Sequence, residues 1–303
     1  MATNTNPPLD IAIIGSGPAA FTAALYAARE NLSVTVFERA QIGGLASTIS
    51  QVDNFPGFSG TGAQLMQTMR TQAETFGATT EYGECTAIKK TKSHFKLTID
   101  DQPFLARTII IATGSERRKL GIPGEDQAGV SYCATCDGPL TRGKTVIVIG
   151  GGNSAVQESF FLLKYARSVH LINRSPLRAS DILQDRLRQE PRITLTLHAT
   201  PLRFLHADGK LTGLECQLKS RSRSQTFPAD AAFIFIGNVP ATSFLPSSIL
   251  AEDGSVITDP SLATSIPGLF AAGDCRQGSI KQVVTAAAEG AIAALSASHY
   301  LEK

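Results

Sequence analysis

The stretch SYCATCDGPL sets Cys133 and Cys136 two residues apart, with Asp137 directly after them. Cysteine pairs at this spacing serve either metal ligation or reversible disulfide chemistry. A zinc site needs four ligands, usually from a second CxxC or a paired histidine motif. Neither is present: Cys85, Cys216 and Cys275 stand alone and the five histidines are scattered, so no metal site is expected. Two incidental buried cysteines would leave the adjacent acid unexplained. The pair reads best as a dithiol/disulfide couple, in which one thiolate attacks a disulfide and its neighbour resolves the mixed disulfide. A carboxylate beside it can move the protons that thiol and thiolate exchange.

Two repeated units frame that pair. LDIAIIGSGPAAFTAALYAARENLSVTVFER (9–39) reads as strand, glycine turn, helix, strand. Apolar residues run through Ile11–Ile14, recur at helical spacing through Phe21, Ala24, Leu25 and Ala28, and fill Val34–Phe37. Gly15, Gly17 and Ala20 occupy the three dinucleotide fingerprint positions: tight turn, close approach to a pyrophosphate, and helix-on-strand packing. The helix N-terminus offers unpaired N–H groups to the phosphates. Glu38 ends the second strand where a carboxylate can accept from ribose hydroxyls. KTVIVIGGGNSAVQESFFLLKYARSVHLINR (144–174) repeats the pattern with Gly150, Gly152 and Ala155, but Asn173 stands where the first copy has its acid.

Such duplication predicts an α/β chain of two Rossmann-like dinucleotide-binding domains built on βαβ units. Shorter strand-like runs follow each: ATTEYGECTAI, SHFKLTI and RTIIIATGS, then RITLTLHAT, GLECQLKS and AAFIFIGN. A closing helix is expected over Gln282 to Leu301. ERRKLGIPGED and GNVPATSFLP have linker composition. The expected division is 1–116 plus 245–303 for a discontinuous first domain and 117–244 for the second, which carries the cysteine pair.

At 303 residues, 43% hydrophobic and 18% charged, the chain has the composition of an ordinary globular protein with room for two domains. A net charge of +2 is too small to imply nucleic acid or an anionic membrane as the main partner. The one basic cluster, KSRSRS at 219–224, reads as a solvated hairpin tip. MATNTNPPLD lacks the apolar core of a signal peptide. No apolar run reaches the ~20 residues of a membrane span. A cytoplasmic location is expected.

Together these residues resemble the low-molecular-weight thioredoxin reductases, FAD-dependent disulfide oxidoreductases. The likeness runs through GSGPAAFTAALYAAR, QIGGLASTISQVDNFPGF, ATGSERRKLGIPGE, GVSYCATCDGPL, GGGNSAVQES and GLFAAGDC. The resemblance implies FAD in the first domain, with Gly15, Ser16, Gly17, Pro18, Ala19 and Ala20 at the pyrophosphate. It implies Glu38 and Arg39 near the adenosine, and Gly43, Gly44, Leu45 and Asn54 along the flavin. Gly114 and Gly273 belong to the same cofactor shell, Asp274 meets the ribityl chain, and Lys281, Gln282 and Val283 lie near the pyrimidine ring. Cys136 is implied to face the flavin, Cys133 to meet the external disulfide, and Asp137 to act as acid/base. The implied partners are a thioredoxin-like protein or a small dithiol/disulfide, and a second copy of the chain. The family's domains rotate so that NADPH and the disulfide take turns at the flavin.

Several positions depart from the family pattern. Leu45 replaces a glutamine, Ile280 a tyrosine and Lys281 an arginine. Cys275 reads as a small buried residue rather than a third redox thiol. NADPH-dependent members carry GGGDSAxEE and a strand ending in HRRxxxR; here stand GGGNSAVQE and NRSPLR. A 2′-phosphate is best held by clustered guanidinium groups, and Asn173, Ser175 and Pro176 thin that cluster to Arg174 and Arg178. The expectation from these losses is a flavin enzyme exchanging electrons between FAD and the cysteine pair, its NADPH site lapsed or much weakened. In this it resembles the diflavin-linked disulfide oxidoreductase branch, which carries a second FAD; a single fixed domain arrangement would then suffice. Three alternatives stand beside it: an NADPH-dependent thioredoxin reductase using Arg174 and Arg178, a ferredoxin-dependent flavin thioredoxin reductase, and a catalytically silent flavin redox sensor.

Overall fold

Apolar runs such as Ile11–Ile14 and Val146–Ile149 do not alternate with polar residues, as parallel strands covered on both faces require. The computed structural model of the chain describes residues 7–49, 51–219 and 223–302 and bears this out. The chain divides into two units: residues up to Glu116 together with Val239 onward, and Arg117–Asn238. Each has the Rossmann-like form expected of it. The MATNTN segment and Ser220–Ser222 of the basic cluster lie outside the described residues.

In the first unit the strands Thr79–Tyr82, Val34–Glu38, Leu9–Ile14 and Gln102–Ile111 lie side by side and parallel. Leu269–Ala271 extends the parallel set on the far side of Gln102–Ile111. Phe95–Ile99 and Cys85–Lys90 complete the sheet as an antiparallel meander. The expected single run ATTEYGECTAI is therefore two strands at opposite ends of the sheet. They part at Gly83, where a Cβ would sit 2.4 Å from Ile99 Cγ2.

Ile11, Ile13, Ile109, Ile110 and Ile111 are fully buried in this sheet, each worth about 2 kcal/mol of transfer from water. Helix Pro18–Arg29 crosses one face against the closing helix Val283–Leu301. Their contact is alanine on alanine, and at its centre a Cβ on Gly290 would lie 2.2 Å from the Ala19 carbonyl oxygen. That closeness fixes the start of the first helix, where a phosphate would bind. Helix Gly62–Thr75 opens on a capping box: Thr61 Oγ1 accepts from Gln64 N, and the Gln64 side chain accepts from Thr61 N.

In the second unit the strands Ile193–Leu197, Ser168–Asn173, Thr145–Ile149, Ala231–Ile234 and Val130–Ser131 form a parallel sheet in that order. An antiparallel meander, Ala199–Ala207, Lys210–Leu218 and Ser224–Pro228, packs its apolar side on one face. Helices Asn153–Leu162 and Asp181–Gln189 cover the other. Among the described residues no helix is long and apolar enough to cross a membrane.

Candidate active site

The first glycine turn has the geometry a pyrophosphate needs. Gly15 has φ +102°, and a Cβ there would meet the Ala112 carbonyl oxygen at 2.4 Å. Gly17 caps the first helix without a side chain, faces open space, and is followed by Pro18 at the first helical position. The N–H groups of that first turn are thus left for an anion. Ala19 and Ala20 point into the core.

Ser16 ties this turn to two other predicted site residues. Its hydroxyl donates to Glu38 Oε2 at 2.5 Å and accepts from Gly43 N at 2.9 Å. The other Glu38 oxygen accepts from Ala40 N at 2.9 Å. Beside Glu38 opens a cleft of ≈310 Å³, lined among others by Gly15, Arg39, Glu84, Cys85 and Thr113. Arg39 crosses it, paired with Glu84 at 3.4 Å and more closely with Glu116; those two contacts raise the guanidinium above its ordinary value. Neither Glu84 nor Glu116 was singled out as a site residue by the sequence.

Gly43 has φ +90° and no room for a Cβ, which would lie 2.5 Å from Met66 Cγ. Gly44 and Leu45 begin the short helix Gly44–Ser47. Asn54 Nδ2 donates to Gln282 Oε1 at 3.0 Å, and Gln282 is the N-cap of the closing helix that Val283 begins. Lys281 holds φ +59° just before that cap, and Gly114 takes φ +64° with its carbonyl bonded to Ala241 N. Gly273 N donates to Glu289 Oε2 at 2.7 Å, and Glu289 is also paired with Arg276. This pair, another that the sequence did not announce, braces the loop carrying Asp274. Burial pushes the Asp274 carboxyl above its ordinary range, with Lys281 opposing and Glu289 adding to the shift.

These features fit an FAD: an uncapped helix start for the pyrophosphate, a buried carboxylate beside a cleft for the ribose, and a second loop held on a helix N-terminus. Cys275 is fully buried with its thiol against the Ile111 and Ala272 carbonyl oxygens, and burial pushes it up to about 11. It fills space, as expected.

In the second unit Cys133 and Cys136 form a disulfide at the ends of one helical turn. Cys133 is the N-cap, its Sγ accepting from Cys136 N at 3.2 Å. Asp137 N in turn donates to the Cys133 carbonyl at 3.1 Å. Ser131, which sequence reasoning passed over, accepts from Cys133 N at 3.0 Å and donates to Asp137 Oδ2 at 2.6 Å. Tyr132, beside Cys133, bonds Glu125, whose carboxylate also takes the N–H groups of Leu120, Gly121 and Ile122. Among the described residues no cluster of His, Cys, Asp and Glu could hold a metal.

The second glycine turn is as tightly built as the first. A Cβ on Gly150 would lie 2.2 Å from the Phe235 carbonyl oxygen, and Gly152 caps its helix facing open space. The asparagines taken as losses hold the loop that follows. Asn153 Oδ1 accepts from Ser180 N at 2.8 Å, and Arg178 N donates to the Gly151 carbonyl at 2.7 Å. Asn173 Nδ2 donates to the Ser175 carbonyl at 2.8 Å. On this loop Arg174 and Arg178 are exposed, and among the described residues neither guanidinium has a protein partner.

Residues 9–290 match the model of the pyridine nucleotide-disulphide oxidoreductase family. The chain is 39% identical over 300 residues to a thioredoxin reductase of Listeria monocytogenes, covering 97% of this chain and 94% of that one. It is 40% identical over 299 residues to a thioredoxin reductase of Treponema pallidum, covering 97% of each. Among solved structures it is similar to the thioredoxin reductase of Lactococcus lactis, with TM-score 0.91, 36% identity and coverage of 97% and 99%. A ferredoxin-flavin thioredoxin reductase from Clostridium acetobutylicum is less similar, at 28% identity and TM-score 0.55.

These findings overturn the expectation of a diflavin-linked, NADPH-independent enzyme with a lapsed nucleotide site and a second FAD. The chain goes with thioredoxin reductases of the ordinary kind. The physical reason is that Asn153 and Asn173 do structural work: they hold a loop through amide hydrogen bonds, and the arginines it carries are unspent. The basis for a fixed arrangement of the domains goes with it. The chain belongs to the pyridine nucleotide-disulphide oxidoreductase family and, within it, to the FAD-dependent thioredoxin reductases.

Proposed function

We propose that this protein is an NADPH-dependent thioredoxin reductase, moving electron pairs from the nucleotide by way of FAD to the Cys133–Cys136 disulfide and on to a thioredoxin-like protein. The observation that carries the nucleotide assignment is the loop after Gly150–Gly152, which offers Arg174 and Arg178 to solvent with no ion-pair partner among the described residues. Two free guanidinium groups beyond an uncapped helix start suit a phosphate-bearing dinucleotide.

FAD, when bound, supplies the two-electron relay. The residues from Gly15 to Ala20 would hold its pyrophosphate, Glu38 would accept from a ribose hydroxyl, and Arg39 would border the adenosine. Gly43, Gly44, Leu45, Asn54, Gly114, Gly273, Asp274, Lys281, Gln282 and Val283 complete the cofactor shell. Cys136 would face the flavin side, Cys133 would attack the external disulfide, and Asp137 would carry the proton. The free Cys85 and Cys216 thiols, pushed up to about 12 by burial, stay out of this cycle.

The same reading takes the chain to act as a homodimer in the cytoplasm. Exposed Tyr26, Ile292 and Leu295 on the two packed alanine helices support a second copy on that face. Three unpaired cysteines suit a reducing compartment.

Anaerobic titration of the flavoprotein with NADPH tests the assignment. Rapid loss of the flavin absorbance is the expected outcome. A spectrum unchanged by NADPH but bleached by a dithiol would overturn it.

A further inference from the structure

Ser131 lies on the two-residue strand Val130–Ser131, buried, with its hydroxyl between two parts of the redox segment. A hydroxyl has one proton to give and two lone pairs to receive. Its proton goes to Asp137 Oδ2 at 2.6 Å, with the Cys133 carbonyl a more distant acceptor at 3.4 Å, and the Cys133 N–H comes to its oxygen at 3.0 Å. Oδ2 is therefore committed as an acceptor. Among the described residues Asp137 Oδ1 has no protein partner, so proton exchange is left to that oxygen.

We propose that Ser131 is a positioning residue, which holds the Asp137 carboxylate so that one defined oxygen serves the Cys133–Cys136 couple. The proposal rests on the reading of Asp137 as proton carrier. In the step concerned, the reduced Cys133 thiol gives its proton to Asp137, and the thiolate sulfur bonds to one sulfur of the external disulfide. The external S–S bond breaks, and the departing sulfur takes a proton. The Cys136 thiol then gives its proton to Asp137 as its sulfur attacks Cys133 Sγ, which closes the internal disulfide and releases the second external sulfur to take that proton. The external disulfide has gained two electrons and two protons, and the cysteine pair has lost them. A carboxylate free to rotate serves this transfer poorly, because proton transfer needs the oxygen within hydrogen-bond reach at the moment the thiolate forms.

The test is a single turnover of the FAD-loaded protein, reduced with dithiothreitol, freed of reductant, and mixed with an aromatic disulfide whose released thiolate absorbs light. No NADPH is needed. Ser131→Ala is expected to slow the maximal rate about tenfold with half-saturation within about twofold, and Ser131→Thr to restore it. On an Asp137→Asn background the same alanine change is expected to cost nothing more, since residues acting as one unit are not additive. A wild-type rate in Ser131→Ala beside a slow Asp137→Asn overturns the proposal and leaves the role of Asp137 standing. An undiminished loss on the Asp137→Asn background also overturns it, because Ser131 would then act through the Cys133 backbone alone. A wild-type rate in Asp137→Asn sinks the reading of Asp137 itself.

Discussion

The two nucleotide-binding units begin alike and end differently. Both have a glycine whose Cβ would strike a carbonyl oxygen, Gly15 against Ala112 and Gly150 against Phe235, and both have an uncapped glycine at the helix start. Where the first ends in Glu38, bonded to Ser16 and Ala40, the second ends in Asn173, bonded to the loop beyond it. A carboxylate at that position accepts from ribose hydroxyls and repels an added phosphate. An amide there carries no charge to repel a phosphate, and its Nδ2 donors are spent on shaping a loop that presents arginines. On the proposed function, one scaffold would hold two cofactors by changing one side chain and the segment it governs.

The sharpest way to break this picture lies outside both turns. Cys136→Ser is expected to abolish electron exchange between flavin and external dithiol, by about a thousandfold or more, with the yellow colour retained. Stopped-flow flavin reduction by a dithiol reads it, and a wild-type rate would remove Cys136 from the pathway.

Next in size, Gly15→Ala and Gly150→Ala should separate the units. Each puts a methyl group into a carbonyl at positive φ, costing about 3 kcal/mol locally. Gly15→Ala should yield protein largely free of FAD, whereas Gly150→Ala should keep its flavin and lose NADPH. Visible absorbance and an NADPH titration of both variants decide it.

Arg174→Ala and Arg178→Ala should each raise the KM for NADPH about tenfold while hardly changing that for NADH, since only the former carries the extra phosphate. Steady-state KM values for both nucleotides report this directly. Equal effects on both would mean that these arginines serve the loop and not the phosphate.

The smallest effect concerns pH. Burial lowers His170, on the strand that ends in Asn173, below its ordinary 6.5. Its ring packs edge-on to Phe227 and bonds Thr196. A histidine that resists protonation when folded contributes stability that is complete above pH 6.5 and is lost as pH falls through its lower folded value. His170→Phe should flatten the fall of Tm as pH drops below about 6.5, the ordinary histidine value. Calorimetry across that range checks the slope.

The glycine turns and the CxxC pair were legible in the sequence because their requirements are local. A positive φ, a close backbone approach or a two-residue thiol spacing belongs to a few neighbouring residues, whatever the rest of the chain does. The family followed from those motifs, and so did two Rossmann-like domains. What the asparagines do was not legible. Asn153 and Asn173 looked like missing charges, and only the folded loop showed their amides bonded to Ser180 and Ser175.

The sequence by itself determined the chemistry this chain can carry: a redox pair with an adjacent acid, two dinucleotide turns, and a carboxylate after the first. Tertiary structure decided how that chemistry is held. Arg39 meets Glu84 and Glu116 across 45 and 77 residues, and Gly273 meets Glu289 across 16. Such partners share no motif and no period. They meet because the buried sheet sets strand order and the alanine helices bring loop and cap together, a packing solution that no short stretch of sequence contains.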